Sequence, residues 1–290
     1  MSFRSRRLRL FCLMLCLAVL PGAALGQGSF EGRFPDRFLQ PGDPPGWDGW
    51  VYRSESLYIA VTLERFLDSD VFTADIYIRD LSQLRRGYGG GQLGLRSRKI
   101  SAIAGDEGAV LALTGDNSRS LTQGPVFGNG VLLRASRNRK RELCVIGMDG
   151  VMRIFSGKDL TEQDIRAMEG SVWQGFLFGP ALLDGNGKAL TSFVTGVFPA
   201  NPRAVIGYYE PGHYCLIQVD GRGTKNADGQ TNKGLTMAQL AQLAEHLGLA
   251  QAYNLDGGQS AAMWLNGEII SHPYHGGKAV SDIICIMDLP

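Results

Sequence analysis

Residues 236–248 read as a helix that cannot stand alone. Thr236 supplies an N-cap, Leu240, Leu243, Ala244 and Leu247 recur at i, i+3, i+4 and i+7, and Gly248 closes the run. The resulting apolar stripe has to lie on a second apolar surface, and the chain around it is written for strands. Residues 57–63 and 72–79 alternate apolar with polar, with Tyr58, Val61, Ile76 and Ile78 as strand formers. Residues 109–113, 131–134, 204–208, 214–219, 253–255, 262–265 and 282–287 read as further short strands, and 143–148 and 151–155 flank Asp149-Gly150, a strong hairpin signal. Thr161 with Asp164 three residues on starts a second helix, ended by Gly170. Residues 82–86 read as a helical turn, and 87–94 as a glycine-rich loop without the Gly-Lys-Ser/Thr ending of a phosphate cradle. The pattern predicts an α+β fold: a single domain over residues 51–290, with a mixed, largely antiparallel sheet and a few packed helices. Residues 27–50 carry Pro35, Pro41, Pro44 and Pro45 and read as an irregular leader or extended arm.

The N-terminus reads as an export signal. Arg4, Arg6, Arg7 and Arg9 precede an apolar run over 10–20 that is short for a bilayer span, which takes about 20 residues, and Ala24-Leu25-Gly26 offers small residues for cleavage. On this reading residues 1–26 are removed, no later stretch is apolar enough to cross a membrane as a helix, and the chain works in a periplasm, at a wall or in the medium. A formal net charge of +1 gives no electrostatic reason to expect nucleic acid. Cys144, Cys215 and Cys285 follow the signal; lacking CxxC spacing and lying in apolar runs, they read as buried, inert thiols.

Two acidic turns stand out. The apolar run 214–219 delivers Asp220-Gly221-Arg222, and Ala252-Tyr253-Asn254-Leu255 delivers Asp256-Gly257-Gly258-Gln259-Ser260. A carboxylate at the end of a strand, followed by glycine, lets a ligand approach the backbone beside it. Asp149-Gly150 and Asp184-Gly185, by contrast, read as plain turns. Asn201-Pro202-Arg203 opens the 204–208 strand, and Pro202 fixes the entry so that Arg203 is aimed reproducibly.

Taken in order, Asn-Pro-Arg-Ala-Val-Ile-Gly, Val-Asp-Gly-Arg, the helix after Gly234-Leu235-Thr236 and Asn-Leu-Asp-Gly-Gly-x-Ser resemble the signature of the phosphodiester glycosidase family, which takes in the mannose 6-phosphate uncovering enzyme and bacterial exopolysaccharide-associated proteins. Upstream, Ala74-Asp75-Ile76-Tyr77-Ile78, Gly115-Asp116, Asn129-Gly130-Val131 and Phe178-Gly179-Pro180-Ala181-Leu182 look like family blocks, so the likeness covers roughly residues 55–288. The resemblance implies hydrolysis of the bond between a sugar's anomeric carbon and a phosphodiester, on a glycan conjugate of the envelope or the medium. It implies Asp220 and Asp256 as catalytic carboxylates, each a nucleophile, a base for water or a cation ligand, with Arg203, Arg222, Asn254, Gly257, Gly258, Ser260, Asp116 and Asn129 binding substrate.

The chemistry suits those residues. The arginine fork matches phosphate oxygens in bidentate fashion, and a departing phosphate monoester, with a second pKa of about 6, leaves without strong acid help. No cofactor is required; Ca²⁺ suits carboxylates such as Asp220 and Asp256, although no EF-hand spacing is present. Where relatives commonly show Asn-Gly-Asp the chain has Thr114-Gly115-Asp116, and where they often show Arg-Asn-Gly it has Gly128-Asn129-Gly130. His272 and His275, in the loop ending at Lys278 before the last strand, are candidates for acid or base work, though exposed loop histidines are commonly idle. The reading from another class is a non-catalytic protein of the envelope or exopolysaccharide machinery that binds an anionic glycan in the same pocket.

Overall fold

The computed structural model describes residues 28–289, so the expected export signal, residues 1–26, lies outside the described residues. The largest sheet has seven strands in the spatial order Gly46–Asp48, Val51–Arg53, Leu57–Phe66, Ser69–Ile78, His213–Val219, Arg203–Glu210 and Gln251–Asn254. A five-stranded sheet orders Glu268–Ile269, Met263–Leu265, Leu111–Thr114, Asp282–Ile286 and Leu84–Tyr88, and a three-stranded one places Glu142–Gly147 between Met152–Ser156 and Val172–Phe176. The strand pairings among the described residues are antiparallel, so the parallel component of a mixed sheet is not seen there. Among the described residues three short α-helices accompany the strands, which makes the fold sheet-dominated.

The main core lies between the large sheet and the two smaller ones. Ile59, Phe72, Ile76, Ile206 and Leu216 from the first pack with Leu113, Met263 and Ile284 from the second and with Cys144, Ile146 and Phe176 from the third. The opposite face of the large sheet, carrying Val205, Cys215, Ile217 and Val219, takes up Leu240, Leu243 and Ala244 of the Met237–His246 helix. That helix is the one expected, and its cap is reciprocal: Gln239 N donates to Thr236 Oγ1 while Thr236 N donates to Gln239 Oε1. The Thr161/Asp164 cap and the hairpin at Asp149-Gly150 form as well.

Three features differ from expectation. Residues 84–88, read as the end of a helical turn and the start of a loop, form a strand against Asp282–Ile286, because the turn ends early: Asp80 caps a single 3-10 turn over Leu81–Gln83. The Ile100–Glu107 helix carries no local signal: Lys99 makes no side-chain cap, Gly105 lowers the intrinsic helix propensity, and tertiary burial of Ile103 and Ala104 against Ala112, Ile283 and Cys285 sustains it. In the Pro/Gly-rich leader, Phe30 and Phe38 are buried and Gly46–Asp48 joins the large sheet. Cys144, Cys215 and Cys285 are free and buried, with their thiols pushed up by desolvation.

Candidate active site

Strand register brings distant residues to one end of the large sheet. Arg203 pairs with Val219, Val71 also pairs with Val219, and Val205 pairs with Asn254. Arg203 therefore starts its strand where Asp220 and Asp256 leave theirs and where Asp70 enters. The two turns are packed too tightly for side chains: a Cβ on Gly221 would sit 2.7 Å from Gly234 Cα, and one on Gly258, which has φ +61°, 2.9 Å from Arg222 Nη2. Arg222 itself holds a left-handed backbone (φ 57°), a strained conformation for a residue with a Cβ, and this aims its side chain across the second turn.

A cleft of about 310 Å³ opens there, lined by Asp256, Gly257 and Gly258 with Arg203, Arg222 and Lys278, and flanked by Asn201 and Phe178. Arg203 is buried; Nε donates to Leu235 O at 2.9 Å and Nη2 to Pro199 O at 2.6 Å and Val197 O at 3.1 Å, which leaves Nη1 as the uncommitted donor. Burial, with the Arg222 charge nearby, lowers Arg203 to about 10, so it stays cationic at neutral pH. Arg222 Nε donates to Asn201 Oδ1 at 3.0 Å, and its guanidinium lies 5.4 Å from the centre of the Tyr274 ring. Asp256 is 8% exposed, and its Oδ2 accepts from Ser260 Oγ at 2.6 Å. Burial raises the Asp256 carboxyl above its ordinary range, opposed by the Ser260 hydrogen bond and the Lys278 charge. Two guanidiniums and an ammonium thus surround a single carboxylate, a field that attracts an anion.

Asp220 takes a different place from the one expected beside Asp256. Gln218 pairs with Ala204 on the sheet face opposite Arg203 and Val205, and Asp220, two residues on, is fully buried on that side. It accepts from His272 Nδ1 at 2.8 Å, from His272 N and from Gln218 Nε2 at 3.0 Å, and it does not line the cleft. Burial raises its pKa, with the His272 bond opposing. The physical reason is alternation: a carboxylate just past a strand's end emerges on one face or the other, and the two turns leave on different faces.

Several residues expected to bind substrate make hydrogen bonds to backbone around the cleft. Asp116, fully buried, accepts from Leu177 N at 2.8 Å and Phe178 N at 2.6 Å, so it sets the backbone of a cleft-lining residue. Asn129 bonds both backbone groups of Arg86, and Asn254 Nδ2 donates to Gly179 O at 2.8 Å; neither lines the cleft. Thr114 donates to Ser260 O at 2.6 Å and holds the Asp256 turn from below. Gly128 faces the hydroxyl of Tyr88, which occupies the space a larger side chain would need. Asn201 and Lys278 also line the cleft, each from a segment that stands out in the sequence, Asn201-Pro202-Arg203 and the loop ending at Lys278. For a cation, Asp70, Asp220 and His272 bring ligand atoms within 4.8 Å of one another; Asp256 is not in that group.

The profile of the phosphodiester glycosidase family matches residues 72–287. An uncharacterized prophage-derived protein of Bacillus subtilis is 28% identical over 201 residues, 67% of this chain and 29% of that protein. The mouse N-acetylglucosamine-1-phosphodiester alpha-N-acetylglucosaminidase is 26% identical over 235 residues, 72% of this chain and 43% of the enzyme. The chain thus spans less than half the length of these relatives. The catalytic domain of the zebrafish enzyme of that name, solved in a form auto-inhibited by its pro-peptide, shares the fold with a TM-score of 0.64 at 21% identity, over 92% of this chain and 96% of that one. No helix among the described residues is long and apolar enough to cross a membrane.

Proposed function

This chain belongs to the phosphodiester glycosidase family, and from that premise we propose that it hydrolyses the bond between a sugar's anomeric carbon and the oxygen of a phosphodiester. The observation that carries this reading is the convergence of Arg203, Arg222 and Lys278 on a cleft whose acidic side chain is Asp256. The guanidiniums hold the phosphodiester anion and stabilise the charge that grows on it as the C1–O bond breaks. Water adds at C1, Asp256 takes its proton, and the products are a sugar with a free anomeric hydroxyl and a phosphate monoester. The leaving group needs no strong acid, which fits one carboxylate in the cleft rather than a pair.

The sugar is proposed by analogy with the mouse relative, whose name specifies an N-acetylglucosamine-1-phosphodiester. The arginine-rich leader and the apolar run after it support action outside the cytoplasm, on an envelope or extracellular glycan conjugate. The test is release of N-acetylglucosamine from a methyl N-acetylglucosaminyl phosphodiester. Wild type releases sugar and phosphate monoester in equal amounts, and Asp256→Asn does not. Calorimetric binding of the diester without release by wild type would establish the non-catalytic glycan-binding reading in its place.

A further inference from the structure

Asp220 is a fully buried carboxylate with no lysine or arginine partner among the described residues. Such a charge is expensive to hold unless a cation compensates it. Asp70, 3% exposed, stands beside it. Arg65 and Asn226 take Asp70 Oδ1 at 2.8 and 3.3 Å, whereas Oδ2 has a single long contact, 3.5 Å from Asn232 Nδ2. His272 completes a group whose ligand atoms lie within 4.8 Å of one another. An independent observation comes from Gln218: it has no solvent exposure, its Nε2 is committed to Asp220 Oδ1, and its Oε1 is buried without any hydrogen-bond partner. An orphaned amide oxygen costs about 1–3 kcal/mol, and this one belongs to the amide whose Nε2 donates to Asp220 Oδ1 at 3.0 Å, so a cation bound beside that carboxylate is the partner it lacks.

We propose that Asp70, Asp220 and His272 form a binding site for Zn²⁺, with Gln218 Oε1 as an added neutral oxygen, on the sheet face opposite the cleft. The donor set decides the ion: imidazole nitrogen with carboxylate oxygens suits zinc, whereas Ca²⁺ takes six to eight oxygens. Arg65 orients Asp70 from outside, as outer partners of ligating carboxylates do. The half-exposed ring of His272 gives the ion a way in. Asp220 precedes Gly221-Arg222, and His272 lies two residues before Tyr274, on which Arg222 stacks. The cation would therefore tie together the two segments that present Arg222 to the cleft.

The test is metal content after EDTA treatment and equilibrium dialysis against ZnCl₂, read by elemental analysis without substrate, so that it is independent of any glycosidase activity. Wild type is expected to retain one zinc per chain at micromolar free metal and to melt at a higher temperature with zinc than without it, while CaCl₂ neither binds nor competes. His272→Gln and Asp70→Asn, with folding checked by circular dichroism, should bind at least about tenfold more weakly. Substoichiometric zinc in wild type, or equal affinity in wild type and His272→Gln, overturns the proposal.

Discussion

Ser260 donates its hydroxyl to Asp256 Oδ2 at 2.6 Å across one turn of chain, and Thr114 in turn donates to the carbonyl of Ser260 at 2.6 Å. The carboxylate in the cleft is thus held from below by a two-step chain of hydrogen bonds that engages Oδ2. The Ser260 bond favours the ionised form, so its loss should raise the Asp256 pKa further. Ser260→Ala is expected to keep the fold, lower kcat by about 10- to 100-fold, and move the acidic limb of the kcat/KM profile to higher pH, because Asp256 must be ionised to accept a proton. An unmoved limb in the pH–rate profile would remove Asp256 as the group that titrates there.

Arg222 combines three constraints that lysine cannot meet together: a fork, a hydrogen bond from Nε to Asn201, and a flat face over Tyr274. Arg222→Lys keeps the charge and loses all three. We expect KM for a sugar phosphodiester to rise by about tenfold or more, with kcat/KM falling at least as far. Steady-state kinetics check this, and wild-type kinetics for the lysine variant would mean that the anion is bound elsewhere.

How much of this was readable before the fold was known depends on which force fixed each piece. The Met237–His246 helix and the Asp149-Gly150 hairpin were legible because periodicity, caps and turn residues are local. Arg203, Arg222 and Asp256 could be grouped because each lies in a short motif that resembles the family's. The face on which Asp220 emerges depends on strand register, and register is set by the whole sheet. The roles of Asp116 and Asn254 were out of reach for the same reason: both bond to backbone near Phe178 and Gly179, far away in the chain. Lys278 carried no motif, and only the path of its loop brings it to the cleft.

The Thr114 hydroxyl is committed to the chain that follows Asp256. Oγ1 donates to Ser260 O and accepts from Ala262 N at 3.2 Å, all within the buried interior. Thr114→Val keeps the shape and leaves both backbone groups short of a partner, at a cost of about 1–3 kcal/mol. Urea denaturation should show that loss, and turnover should fall along with it as the Asp256 turn loosens. Thr114→Ser, which keeps the hydroxyl, should recover most of the turnover; if it does not, the hydroxyl is not what positions the turn.

Arg86 is fully buried between two carboxylates that titrate far apart. Its Nε and Nη2 donate to Asp282 Oδ2 at 2.9 and 2.7 Å, while Asp116 Oδ2 lies 3.4 Å from Nη2. Burial works against the charge on both carboxylates. At Asp282 the Arg86 charge and hydrogen bonds win, holding it down to about 2; at Asp116 burial wins, helped by the Asp282 charge, pushing it up to about 6. The consequences for stability have opposite signs. Asp282, depressed in the folded state, contributes stability that is present above the ordinary carboxylate pKa of 3.8 and lost as pH falls from there through about 2. Asp116, raised in the folded state, contributes most at low pH, and its contribution declines as pH rises from 3.8 through about 6. Unfolding free energy from urea titrations at several pH values should therefore show a downward component between pH 4 and 6 that Asp116→Asn removes, whatever constant offset the substitution adds through the amides of Leu177 and Phe178. Equal slopes for wild type and Asp116→Asn across that window would show that Asp116 titrates in the folded protein as it does in the unfolded chain.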